Sequence, residues 1–195
     1  LEAFDTAMNG RGITCIRYID DFLVMGKTRR AVDAAMRAAG ALLGELDMQI
    51  YDPVASPNKA FTGTVDEGHP FLGYELRPGS YPPSLAAREK LLEHIAALIA
   101  SGQKAIVKAI SGRALTGQDR CYAQTLVRLD YTIRGWRNSF KSSNCPVLFD
   151  QLDGEIDRRL HDFRSFYLDK IKNRTPAQKR LAARVSLLAE RMEET

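Results

Sequence analysis

The rhythm of apolar and polar positions changes near residue 84. Before it, short apolar runs alternate with turn residues; after it, apolar residues recur three and four apart. Ile13-Thr14-Cys15-Ile16-Arg17-Tyr18-Ile19 is rich in β-branched and aromatic residues, and Phe22-Leu23-Val24-Met25 is apolar and ended by Gly26. Both read as short buried strands with Asp20-Asp21 at their junction. Thr28 is placed to cap a helix starting at Arg29-Arg30-Ala31, with Val32, Met36, Ala39, Leu43 and Leu46 on one stripe. Another strand is expected around Met48 to Tyr51. A polar stretch with Pro53, Pro57 and Asn58 leads to Lys59-Ala60-Phe61, and Gly68 to Leu76 reads as a second hairpin.

The second half reads as helices. Ser84 can cap one carrying Leu91, Leu92, Ile95, Leu98 and Ile99, which Gly102 is expected to stop. A shorter helix near Lys104 to Ile110 follows, ended by Gly112. The longest helix is expected from about Gln118 to Phe140. Its stripe of Tyr122, Leu126, Leu129, Ile133, Trp136 and Phe140 reads as a core seam rather than a cofactor site. Pro146 opens a helix with Phe149, Leu152, Ile156, Leu160 and Phe163 inward, Arg158 and Arg159 facing elsewhere. Thr175-Pro176 begins the last, with Leu181, Val185, Leu188 and Met192 as its stripe. The fold class is therefore α+β: antiparallel hairpins with a packed helix over residues 1–80, then an all-α bundle over 85–195.

Charge sharpens this division. Residues 1–84 carry 8 Lys/Arg against 11 Asp/Glu, net −3, while residues 85–195 carry 20 against 13, net +7. Pro78-Gly79-Ser80-Tyr81-Pro82-Pro83-Ser84 separates them as a turn or linker. An acidic sheet followed by a basic helical module suits a protein that holds metal in one part and a phosphate backbone in the other. No stretch is apolar and long enough to span a bilayer, so no membrane partner is expected. Cys15, Cys121 and Cys145 are an odd set without metal-site spacing and point to a reducing, cytoplasmic setting. His69, His94 and His161 are scattered and read as surface or packing residues.

The chemistry concentrates at Asp20 and Asp21. Two carboxylates beside apolar strands are costly unless a cation or donors neutralise them. A solvated turn is the commonest setting for such a pair, but the flanks are apolar and the turn is tight. Hard oxygens at a rigid turn suit Mg²⁺, with Mn²⁺ as a substitute, and such an ion then holds phosphates and water.

Tyr18-Ile19-Asp20-Asp21 between two such strands resembles the Y-x-D-D box of reverse transcriptases, RNA-directed DNA polymerases of the nucleotidyltransferase class. Phe71-Leu72-Gly73-Tyr74 resembles the hairpin that ends the palm of that family and grips the primer. Gly135-Trp136-Arg137-Asn138 resembles a G-W-x-N piece in the thumb of its bacterial group II intron lineage. The resemblance spans about residues 1–140. It implies the C-terminal part of a polymerase palm followed by a helical thumb, with an RNA template, a DNA primer and product duplex, and dNTPs as partners. It implies that Asp20 and Asp21 are catalytic and hold Mg²⁺, Asp21 by weaker ligation. Tyr18, Phe71, Leu72 and Gly73 would lie along the primer.

Lys59 sits where the family carries a lysine near the leaving pyrophosphate; an ordinary loop lysine is the equal alternative. Arg134, Arg137 and Lys141 share one helix face, either solvated or against phosphates of the duplex. The basic run Lys170 to Arg174 is open to the same two readings. The family's first palm aspartate lies well upstream, after the fingers. No segment here corresponds to the fingers, that aspartate or the nucleotide-gating strand, and Asp5 is too close to the hairpin to replace it. The chain therefore reads as a C-terminal portion, inactive alone. Bacterial relatives of this kind serve group II introns, retrons, diversity generation, CRISPR adaptation and phage defence, and the resemblance extends to the lineage rather than to one of these roles. Two further readings stand beside it: a non-catalytic, maturase-like RNA-binding module, and an unrelated α/β protein whose aspartate pair binds a structural cation.

Overall fold

In a computed structural model of the chain, residues 2–9 and 12–185 are described. The described chain is α+β: six helices and two antiparallel hairpins. It divides into two compact units, residues Leu1–Leu72 with Leu76–Pro78, and Gly73–Glu75 with Gly79–Thr195. The division runs through the second hairpin and again between Pro78 and Gly79, at the start of the Pro/Gly/Ser stretch.

In the first unit, helix α1 (Glu2–Asn9) precedes strands β1 (Thr14–Tyr18) and β2 (Asp21–Met25), and helix α2 (Arg29–Gly44) follows. The strands pair antiparallel with Cys15 opposite Val24, Arg17 opposite Phe22 and Tyr18 opposite Asp21. Alternation sends Cys15, Phe22 and Val24 to the side where Phe4, Met8, Ala35, Ala39 and Leu43 of the two helices are buried. Phe4 meets Phe22 edge-on with ring centroids 5.4 Å apart. Full burial of a large side chain such as Phe4 or Met8 stabilises by about 1.5–3 kcal/mol. Thr28 caps α2 as expected, its hydroxyl accepting from the Ala31 N–H at 3.2 Å.

Two expectations in this unit are corrected. Leu46 does not join the α2 stripe but is exposed, because the helix ends at Gly44. Asp47 then takes φ 56° and the Met48 N–H returns to the Leu43 carbonyl at 2.9 Å. No strand forms around Met48 to Tyr51, since no neighbouring strand offers a ladder. Ile50 alone packs against the core while Met48 and Tyr51 stay exposed.

The second hairpin is β3 (His69–Phe71) and β4 (Tyr74–Leu76). Its loop residues Leu72 and Gly73 have φ 51° and 81°, both positive, as a type I′ turn requires.

The helical unit contains α3 (Leu85–Ile110), α4 (Tyr122–Ser139), α5 (Pro146–Ile171) and α6 (Pro176–Ala183). Ser84 and Thr175 cap α3 and α6 through their hydroxyls. The expected break at Gly102 is absent: α3 runs 26 residues through it. That glycine is buried, and a Cβ on it would stand 2.5 Å from Thr125 Oγ1 and 3.1 Å from Phe163 Cζ. It marks a close helix crossing, not a stop. Gly112, with φ 72°, does end the helical run.

The α4 helix is shorter than expected, 18 residues against 26 for both α3 and α5. Residues 118–121 belong instead to a loop held by Asp119, which accepts from Lys108 Nζ and the Thr116 N–H, both at 2.6 Å. Thr125 joins the inward face of α4, donating to the Arg120 carbonyl at 2.8 Å. Arg159 does not face away from the bundle: it is half-buried and donates to the Leu92 carbonyl at 2.9 Å. The α6 helix ends at Ala183, so Val185 lies beyond it and is exposed. Leu188 and Met192 lie outside the described residues.

Candidate functional site

The β1–β2 hairpin closes through two residues, Ile19 and Asp20, because Tyr18 and Asp21 are a facing pair. Ile19 takes φ 55°. That conformation suits glycine at the first loop position of a type II′ turn and is an outlier for a β-branched residue, at about 1–2 kcal/mol. Strain of this kind collects where a turn must present particular atoms. Here it presents carboxylates: Asp20 at the tip and Asp21 beside it are both exposed.

Arg17 holds the tip from beneath. It faces inward on β1, opposite Phe22, where an isolated charge would be expensive. Its guanidinium forks onto Asp5 of α1, Nε to Oδ1 at 2.7 Å and Nη2 to Oδ2 at 2.6 Å, and Nη1 donates to the Ile19 carbonyl at 2.8 Å. The bond from Arg17 is the main cause that holds the Asp5 carboxyl below its ordinary pKa. Arg17 was not singled out in the sequence, and Asp5 was weighed there only as a substitute for the upstream palm aspartate. An arginine at an inward strand position, three residues before the pair, was the available signal, since a charge there needs a partner.

Tyr18 stands on the outer face of the hairpin and is exposed, as is Ile16. Lys59 is brought to Tyr51: Nζ donates to the phenol oxygen at 3.0 Å and lies 4.3 Å from the ring centroid. Among the described residues no hydrogen bond or ion pair joins Lys59 to Asp20 or Asp21. Phe71 is half-buried on β3 and Leu72 is exposed at the hairpin tip. Gly73 lies in the helical unit, where a Cβ would meet the Phe140 ring at 3.2 Å; Tyr74 meets that ring edge-on and donates to the Ser139 carbonyl at 3.0 Å.

The three cations expected on one face of α4 are not equivalent. Arg134 is held by Asp130 one turn back, at 2.9 Å. Arg137 is exposed in the last turn of α4. Lys141 falls past the end of the helix, because Phe140 caps it, and so does not share that face.

Among the described residues Asp20 and Asp21 form no cluster with a third His, Cys, Asp or Glu. As hard oxygens at an open tip they suit two of a divalent ion's ligands. No helix among these residues is long and apolar enough to cross a membrane. No protein-family model and no curated protein matches this chain.

Proposed function

We propose that this chain is the palm terminus and thumb of an RNA-directed DNA polymerase. The reaction joins a primer 3′-oxygen to the α-phosphorus of a dNTP and releases pyrophosphate. The observation that carries the reading is the Tyr18-Ile19-Asp20-Asp21 turn: two residues long, strained at Ile19, and displaying both carboxylates. The second support is the Leu72-Gly73 hairpin, a two-residue tip of the kind that can brace a strand.

In this reading Asp20 and Asp21 hold Mg²⁺, or Mn²⁺ in its place. When bound, such an ion would acidify the primer hydroxyl and neutralise the triphosphate. Arg17 fixes the tip so that the two carboxylates keep one relative placement. Tyr18 supports the primer end from the outer face, and Phe71 to Gly73 position the primer strand. On this reading the third carboxylate and the fingers would be supplied by another segment. Template RNA and duplex are held by cations of the helical unit, with steep salt dependence.

The test is Mn²⁺ titration of isotope-labelled protein followed by NMR. Paramagnetic broadening centred on residues 19–22 is expected, and it should vanish in the Asp20→Asn, Asp21→Asn double variant. Broadening elsewhere, or broadening indifferent to both substitutions, overturns the metal role. Supplying a fingers and palm segment should produce primer extension that Asp20→Asn abolishes, whereas extension by the 195 residues alone contradicts the division of labour.

A further inference from the structure

We propose that the groove between α3 and α4 binds single-stranded nucleic acid, with a base against Tyr131 over a floor that includes the packed Trp136, and phosphates on Lys90, Arg128 and Arg120. The groove lies wholly within the helical unit, and its chemistry is independent of the hairpin tip. Its volume is about 520 Å³, and its lining includes Lys90, Arg128, Tyr131, Gly135 and Trp136. A second depression of about 300 Å³ continues along α4, sharing Arg128 and Tyr131 and adding Arg120. Tyr131 is 66% exposed, so its ring is open to a ligand from the groove.

Charge selects the occupant. No carboxylate lines either depression. Among the described residues Lys90, Arg120 and Arg128 form no ion pair, whereas Arg134, Arg158, Arg159 and Lys108 all do. Arg128 and Arg137 are nine residues apart, hence about half a turn round α4, so this surface differs from the Arg137 face. An exposed tyrosine ring beside unneutralised cations suits an unstacked base on a phosphate chain. A duplex hides its base faces and would leave the apolar floor unused.

Gly135 supplies the independent observation. It sits inside α4, where glycine costs about 1 kcal/mol relative to alanine. A Cβ there would meet nothing within 4 Å, so packing within the protein does not require glycine. Gly154 of α5 has similar free space but borders neither depression. At Gly135 the space opens into the groove, where an approaching base would need it.

Trp136 is the only tryptophan, so its fluorescence reports the groove directly. Titrating the full chain with a dT12 oligonucleotide should quench that emission. Tyr131→Ala should weaken binding about tenfold, within the range for one stacked base. Arg128→Gln should lower the salt slope by about one. Gly135→Ala should raise thermal stability, and Gly135→Leu should remain folded yet bind at least tenfold more weakly. The Asp20→Asn, Asp21→Asn variant should bind dT12 normally, which separates this site from the metal reading. Equal quenching by a 12-base-pair duplex or by oligoglutamate, or binding indifferent to Tyr131→Ala and Gly135→Leu, overturns the proposal.

Discussion

Arg17 grips Asp5 through two parallel bonds of 2.7 and 2.6 Å, and the same guanidinium holds the Ile19 carbonyl at 2.8 Å. One side chain thus ties helix α1 to the turn that presents Asp20 and Asp21. Lysine carries the charge but not the planar fork. Arg17→Lys should leave the unit folded while amide exchange at residues 19–21 speeds up by about tenfold, a local opening rather than global unfolding. Unchanged exchange at the tip would show that Arg17 is only a core ion pair. The sign of the pH dependence follows from Asp5, whose pKa lies below its ordinary 3.8. Its contribution is complete above that value and is lost as pH falls through the lowered one.

Ile19 offers a test in the opposite direction. Its φ of 55° is uncomfortable for a β-branched side chain and natural for glycine or asparagine. Ile19 is also 64% exposed, so its replacement loses little burial. Ile19→Asn should stabilise the first unit by about 1 kcal/mol in urea denaturation. A loss of stability would mean that the isoleucine side chain makes an unrecognised contact.

Much of the fold was legible because local signals and packing agree. Thr28, Ser84 and Thr175 each precede a periodic run and each caps the helix it announces. The tight turn at Asp20-Asp21 was legible, but not its setting. Strands β1 and β2 are not the buried strands expected, with Cys15 their one buried residue. Both carboxylates therefore stand in solvent, the setting a turn aspartate most often has. The failures have physical causes. Met48 to Tyr51 has strand composition, but composition cannot supply a pairing partner. Gly102 looked like a helix stop because its reason for being glycine, Thr125 and Phe163, lies on other helices. The Arg17–Asp5 fork was hidden because its halves belong to different elements, 12 residues apart. Lys141 was assigned to a helix face from spacing alone, and spacing does not show where Phe140 caps the helix.

Gly102 therefore yields a prediction that propensity alone would reverse. On an isolated helix, Gly→Ala gains about 1 kcal/mol. Here the new methyl would stand 2.5 Å from Thr125 Oγ1 and 3.0 Å from Thr125 Cγ2. Thr125 is buried and its hydroxyl is committed to the Arg120 carbonyl, so it cannot simply turn away. Gly102→Ala should destabilise the helical unit by about 1–3 kcal/mol, the usual range for overpacking. Pairing it with Thr125→Ser, which removes the Cγ2 methyl, should recover part of the loss, a coupling that a double-mutant cycle measures. Additive effects would show that the two residues do not share the crossing.

Asp119 should contribute to the acid limb of the helical unit. Its Oδ2 accepts from Lys108 Nζ at 2.6 Å, from the Thr116 N–H at 2.6 Å and from Thr116 Oγ1 at 2.9 Å. Lys108 first, then Thr116, pull the carboxyl from 3.8 down to about 2. The unfolded chain binds a proton at the higher value, so protonation favours unfolding between the two. The stability contributed by this carboxylate is whole above about pH 5 and disappears as pH drops from 3.8 to about 2. Asp119→Asn removes that titration while keeping the side-chain shape. Urea midpoints measured from pH 5 to pH 2.5 should fall less steeply for the variant than for the parent, and the two curves should converge at the acid end. Parallel curves across that window would mean that the acid sensitivity of the unit resides in other carboxylates.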